Sequence, residues 1–266
     1  MHILQQNLRL GRANLLGFGL GLALLSLVSV LFLPTLKENG EQMTQLIQSL
    51  PKGLMAAFGI SEQTDMLSPE GFLHARLFGL MVPLLLLIQG IGIGAATLAG
   101  EEERGQLEVV AAHPVSRARL FLEKLGVLAV ALGFSSLLLL LSIWIGLRLV
   151  NTEIALGKVL AACLGSLLLG LLFGGLALAI GGWTGRRSLA AGLASALAVL
   201  AYFWNALTPL SPDLAGWQKY SPFYQGVGYE PIKNGLDAGS AAILLLATLV
   251  VLGLGLYRFR QRDLGV

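Results

Sequence analysis

Residues Leu77 to Ala99 read LFGLMVPLLLLIQGIGIGAATLA, twenty-three positions without one charged side chain. A helix rising about 1.5 Å per residue carries such a stretch across a hydrocarbon core of about 30 Å. Five further blocks have the same character: Ala13 to Leu33, Leu125 to Leu147, Val159 to Trp183, Leu189 to Pro209 and Ala238 to Tyr257. Hydrophobic residues make up 55% of the 266 positions and charged residues 12%, about half the charged share of a soluble domain. The clustering into span-length blocks predicts an all-α polytopic membrane protein. It would have six transmembrane helices in one transmembrane domain over residues 1–266.

The first block follows Arg9 and Arg12 and ends at Pro34. Its apolar core exceeds that of a signal peptide, and no small-x-small cleavage site follows Leu33, so it reads as a retained anchor. An even number of spans places both termini on one side. With that side cytoplasmic, the inner loops carry Arg9, Arg12, Arg104, Arg117, Arg119, Lys124, Arg186, Arg187, Arg258, Arg260 and Arg262, eleven in all. The outer loops carry seven: Lys37, Lys52, Arg76, Arg148, Lys158, Lys219 and Lys233. The excess predicts an N-in, C-in protein of the plasma membrane.

Two outer loops are long. In Thr35 to Ala75, Met43, Leu46, Ile47, Leu50, Leu54 and Phe58 recur at helical spacing, with Pro51 set to split the pattern. A helix lying on the outer membrane surface and a helix packed on the bundle both fit. Leu210 to Asp237 carries Trp217, Tyr220, Phe223, Tyr224 and Tyr229 among Pro and Gly, the composition of an interfacial aromatic belt. Within the spans, Gly17/Gly21, Gly90/Gly94 and Gly170/Gly174 have the spacing that lets helix backbones approach. Packing within the chain and a seam with a second copy both satisfy it.

The chemistry of the spans excludes several function classes. Apart from Arg76 at one edge they contain no Asp, Glu, Lys, Arg or His, which argues against a proton relay, an ion-coupled carrier or an intramembrane hydrolase. Polar interior residues such as Gln89, Thr97, Ser135, Ser136, Ser142, Ser166, Ser195 and Asn205 are expected to hydrogen-bond between helices. The run Glu101-Glu102-Glu103-Arg104 misses the Glu-Glu-x-x-x-Arg spacing of intramembrane proteases, because positions 106 and 107 are Gln106 and Leu107. His2, His74 and His113 lie outside the spans at different faces and build no metal site, and the single Cys163 allows no disulfide. A Gly-x-x-x-x-Gly-Lys-Ser/Thr phosphate cradle is absent from the sequence.

Gly100 to Lys124, GEEERGQLEVVAAHPVSRARLFLEK, differs in kind from a short turn between spans. It reads as two short helices. The first, Glu101 to Ala112, would open on three acids at the positive end of its dipole, pair Arg104 with Glu108 and show Leu107, Val110 and Ala111 on one stripe. It should stop before Pro114. Ser116 suits the N-cap of the second, stapled by Val115 and Leu120, which would run through Arg117, Arg119 and Lys124 into the third span.

Glu101-Glu102-Glu103-Arg104-Gly105-Gln106-Leu107-Glu108, then His113-Pro114-Val115-Ser116-Arg117 and Lys124, resembles the signature of ABC-2 type transporter permeases. Arg258 to Leu264 is similar to that family's basic tail, and Ser221-Pro222-Phe223 to its pattern before the last span. Gln106 stands where a threonine is common, and His113 where a small or polar residue is usual. The resemblance implies a permease subunit, not itself an enzyme, that pairs with a second copy or a homologue and with two ATP-binding cassette ATPase subunits. Those ATPases would bind ATP and Mg, leaving no cofactor in this chain.

In that family the loop between the second and third spans is a cytoplasmic coupling helix seated in the ATPase. Glu101, Glu102, Glu103, Gly105, Leu107, Glu108, Pro114, Ser116, Arg117 and Lys124 carry the match. The expected function is ATP-driven export across the bilayer. A membrane scaffold that grips a cytoplasmic partner without transport is the alternative, and no nucleic-acid partner is expected. The uncharged spans suit a hydrophobic or amphipathic cargo.

Overall fold

The computed structural model describes residues 12–34, 51–57, 68–105 and 116–262. The regular structure among the described residues is all helical, as it must be where lipid offers the backbone no hydrogen-bond partner. In chain order the α-helices are α1 (Arg12–Leu31), α2 (Lys52–Ala57), α3 (Pro69–Leu73), α4 (Met81–Thr97), α5 (Ala99–Glu102), α6 (Arg117–Leu149), α7 (Leu156–Thr184), α8 (Arg187–Leu207), α9 (Pro231–Asn234) and α10 (Ala238–Gln261). A π-turn, His74–Phe78, joins α3 to α4, so the helical run Pro69–Thr97 counts as one span.

Among the described residues, five helical runs are long and apolar enough to cross a membrane: Pro69–Thr97, α6, α7, Arg187–Leu210 and α10. The first block forms α1, whose apolar part, Leu15–Leu31, is shorter. The second run starts at Pro69, not at Leu77. Ser68 caps it by accepting from the Gly71 N–H at 3.1 Å, and Pro69 supplies a fixed φ at the first position. Arg76 therefore sits inside the helix, where it reaches Ser29 Oγ at 3.3 Å and lies over the rings of Phe32 and Phe72.

Helix directions follow from which residues meet. Ser26 Oγ lies 2.5 Å from Ser142 Oγ and Val30 abuts Gly146, so α1 runs parallel to α6. Gly90 opposes Gly170 and Gly94 opposes Gly174, so α4 runs parallel to α7. Leu252 meets Gly175 and Phe259 meets Gly182, aligning α10 with α7 as well, whereas Leu132 and Leu128 of α6 meet Gly170 and Gly174 in reverse order. One end of the bundle thus gathers residues 99–105, 116–124, 184–187 and 258–262.

α7 is the axle. Of its most apolar stretch 72% is buried, against 22% for Arg187–Leu210 and α10, which wrap its flank. Glycine makes the closeness possible. A Cβ on Gly90 would stand 2.6 Å from the Gly170 carbonyl oxygen, and one on Gly94 would run into the Gly174 carbonyl. Gly17 and Gly21 have nothing within 4 Å of an added Cβ. Of the three small-residue pairs, the two on α4 and α7 pack against each other within the chain.

Of the interior polar residues, Ser26 and Ser142 bond between helices. Thr97 and Ser166 instead donate to carbonyls of their own helices, at Gly94 and Ala162. Buried Gln89, Ser135 and Ser136 find no side-chain partner among the described residues. The second outer loop folds back onto the bundle. Phe223 is buried against Phe173 and Tyr202, and a Cβ on Gly165 would strike the Gly226 carbonyl. Trp217 and Tyr220 stay exposed, while Phe223 belongs to the core.

Asp237 caps α10, accepting from the N–H groups of Gly239 and Ser240 and from the Ser240 hydroxyl at 2.6 Å, and these bonds hold its carboxyl below the usual range. Of the amphipathic pattern in the first outer loop, α2 is described. It begins directly after Pro51 and packs on α8.

Candidate coupling site

The end of α4 sets the site. Its helix breaks at Leu98, resumes for the single turn of α5, and closes in a turn at Gly105, whose φ of +67° suits glycine. Glu101 and Glu102 therefore close α5 and Glu103 lies in the turn that follows, whereas most of the expected Glu101 to Ala112 helix lies outside the described residues. A helix end carries partial negative charge, so acids there need cations from elsewhere. Two other elements supply cations and a third a helix N-terminus.

Glu101 receives both carboxylate contacts from Lys124 Nζ, each 2.5 Å long, on the second turn of α6. The Lys124 side chain is 1% exposed and that of Glu101 14%, so this pair is held largely away from water. Glu102 takes Arg262 in a fork, Nη2 to Oε1 at 2.5 Å and Nη1 to Oε2 at 3.0 Å. A bidentate guanidinium pair fixes orientation as well as charge. Glu103 accepts the Arg187 backbone N–H at 2.8 Å, a carboxylate set against the N-terminus of α8.

The basic partners are themselves linked. Ser116 caps α6 by accepting from the Arg119 N–H at 3.3 Å, in the role expected of it. Arg117 Nη1 donates to the main-chain carbonyl of Arg262, whose guanidinium also donates to the Gly182 carbonyl at 3.4 Å. Gly185 ends α7 with a φ of +65°, and a Cβ there would strike the Arg262 guanidinium and lie 2.7 Å from Glu102 Oε1. Behind the charges, Leu98, Leu120, Phe121, Leu178, Leu252 and Phe259 form an apolar plug, with Phe121 and Phe259 ring centroids 6.1 Å apart.

Four of the long helical runs are thereby locked at one end, α4 with its α5 extension, α6, α7 and α10, and α8 is tied in through Glu103. Glu101, Glu102, Glu103, Ser116, Arg117 and Lys124 all come into this junction, with Gly105 turning the chain out of it. Leu107, Glu108 and Pro114, together with the Arg104–Glu108 pairing, the Leu107 stripe and the Val115 staple, lie outside the described residues. Arg262, Gly185 and the Arg187 N–H complete the junction without having been singled out as site residues. The run of arginines at 258–262 was the available signal for the first; the others depend on contacts between distant helices. Among the described residues no three His, Cys, Asp or Glu side chains gather as a metal site.

A family profile described as "Multidrug efflux system permease Rv1217c, C-terminal domain" matches residues 5–260, nearly the whole chain. The chain belongs to the ABC-2 type permease family. No individual curated protein matches the permease. The family match covers the acidic loop, the long helices and the start of the basic tail together. The permease is thus an all-α, multi-pass membrane protein whose distinctive polar cluster lies at one end of its bundle.

Proposed function

We propose that this permease is one transmembrane half of an ATP-driven exporter, and that the loop leaving the Glu101 junction is where separate ATPase subunits push. The supporting observation is the junction itself. Glu101–Lys124 and the Glu102–Arg262–Arg117 chain tie the loop's two roots to the ends of α7 and α10. A force applied between Gly105 and Ser116 then reaches several helices at once. α6, with 33 residues, is a lever of about 50 Å running from that loop to the far end of the bundle.

The reading includes six spans, with α1 as the first, and a cytoplasmic Glu101 end, in keeping with the eleven-to-seven distribution of Lys and Arg between the two loop sets. ATP and Mg would bind to the partner ATPases, and a second permease copy or homologue would complete the path. The family description names multidrug efflux, and the uncharged span interiors accord with a hydrophobic or amphipathic cargo.

Glu102→Lys is expected to break the fork to Arg262, and Leu107→Asp to place a charge on the stripe that the sequence pattern of the loop implies. Each should abolish stimulation of ATP hydrolysis, or ATPase co-purification, while the protein still inserts. Wild-type stimulation in both would remove the coupling assignment and leave the scaffold reading. Reporter fusions after Gly100 and after Ser211 should report opposite sides of the membrane, the former cytoplasmic. Both reporting one side would refute the six-span arrangement.

A further inference from the structure

At the opposite end of the bundle, α6 and α7 are joined by a short turn that passes through Asn151 at a φ of +50°. Between this turn and the start of α3 lies an open cavity of about 630 Å³, lined by Glu70, Trp144, Arg148, Glu153, Ile154 and Lys158 among others. It sits where two membrane-length helices end. Trp144, half exposed, marks the depth at which indoles settle between headgroups and acyl chains.

The charges in this cavity are balanced but incompletely paired. Lys158 Nζ stands 3.4 Å from Glu70 Oε1, both partly exposed. The Arg148 guanidinium lies 5.7 Å from the Trp144 ring centroid and, among the described residues, has no carboxylate partner. Glu153 likewise has no partner among them. A bare phosphate brought to Arg148 and Lys158 would face two carboxylates, and a bare ammonium brought to Glu153 and Glu70 would face two cations. A ligand carrying both charges a few bonds apart satisfies all four.

We propose that this cavity binds the headgroup of a phospholipid bearing a primary amine, phosphatidylethanolamine. Arg148, held by its stacking on Trp144, offers its planar fork to the phosphate, with Lys158 beside it. Glu153 and Glu70 accept from the ammonium, which has three N–H donors; a quaternary choline has none. The acyl chains run along the exposed Leu141 and Ile145 of α6 and Leu160 of α7, which descend from the cavity toward mid-membrane. This site is independent of the ATPase-coupling reading, since it lies at the other end of the bundle.

The test is native mass spectrometry of the full-length permease, delipidated in detergent and titrated with phosphatidylethanolamine, phosphatidylcholine or phosphatidylglycerol. One phosphatidylethanolamine should be retained at concentrations where the other two are lost. Arg148→Ala and the near-isosteric surface change Glu153→Gln should each weaken that retention by about tenfold or more, the worth of one charge-assisted hydrogen bond. Thermal melts of both variants check that they are folded, and Glu153→Gln carries the test if Arg148→Ala is not. Equal retention of the three lipids, or undiminished phosphatidylethanolamine binding in Glu153→Gln, would overturn the assignment. Soluble glycerophosphoethanolamine displacing the lipid at matching concentration would overturn the lipid as occupant in favour of a free zwitterion.

Discussion

Glu101→Ala should cost the permease about 3–5 kcal/mol of stability, the penalty for removing one member of a buried ion pair. Lys124 is the reason. Its side chain is 1% exposed, and both of its contacts to Glu101 are 2.5 Å long, so deletion of the carboxylate strands an ammonium among Leu120, Phe121 and the rest of the apolar plug. The loss should be rescued in large part by Glu101→Ala combined with Lys124→Met, because the second change removes the stranded charge while keeping much of the side-chain volume. Thermal unfolding in detergent, run as a double-mutant cycle, measures both. A single Glu101→Ala variant as stable as wild type would show that the pair is solvated and structurally dispensable. In contrast, the Arg119–Glu123 pair, 3.1 Å long on one face of α6, joins a half-buried carboxylate to an exposed guanidinium, so Arg119→Ala should cost less than Glu101→Ala.

Gly94→Leu should prevent recovery of folded permease, and even Gly94→Ala should destabilise it beyond the roughly 1–3 kcal/mol of ordinary overpacking. An added Cβ meets backbone, namely the carbonyl of Gly174, with the Leu178 nitrogen 3.1 Å away. Backbone of a central helix cannot swing aside as a flexible side chain can. Separating α4 from α7 would also release the contacts of Leu86 and Ala95, both fully buried. Gly17→Ala and Gly21→Ala provide the contrast. With nothing within 4 Å, an alanine there should be tolerated, and its better helix propensity should offset part of any loss. Yield of monodisperse protein after detergent extraction, followed by melting temperature, separates the cases. Sensitivity at Gly17 equal to that at Gly94 would mean that the open face of α1 is covered in the functional assembly.

The contrast between these glycines shows where reading the chain by itself stops. All three pairs share one spacing, and spacing says that close approach is possible on a face of a helix. Which face meets a neighbour depends on how each helix is rotated about its axis, and that is set by every other helix in the bundle. The same holds for the acids at 101–103. Their local pattern suits the opening of a helix, but the α4 course, broken at Leu98, resumes as α5 and turns at Gly105, and the carboxylates are answered by Lys124, Arg262 and the start of α8. Those partners stand 23, 160 and 84 positions away in the chain.

Local physics, by comparison, was readable. Ser116 was expected to cap α6 and does so, since an N-cap bond closes within three residues. Pro51 was expected to interrupt the first outer loop, and α2 starts immediately after it. Ser68 and Pro69 give a weak helix-start signal, because the apolar pattern is diluted there by Glu70, His74 and Arg76. In the bundle those side chains turn toward Lys158, the interior and Ser29. Phe223 was assigned to the interfacial belt on composition, whereas the return of its loop onto Gly165 brings it into the core.

Contiguous residues are enough to make this protein a helical, multi-pass membrane permease with its polar chemistry concentrated after the second apolar block. Span length, charge exclusion and capping are properties of contiguous residues, governed by the thickness and dryness of the bilayer. Packing between distant helices makes α7 the axle, sets Gly90 and Gly94 against Gly170 and Gly174, and brings Arg262 to close the acidic junction. Those are choices among many nearly equivalent helix rotations, and the bundle selects one by burying backbone against backbone and by pairing charges that no local window contains.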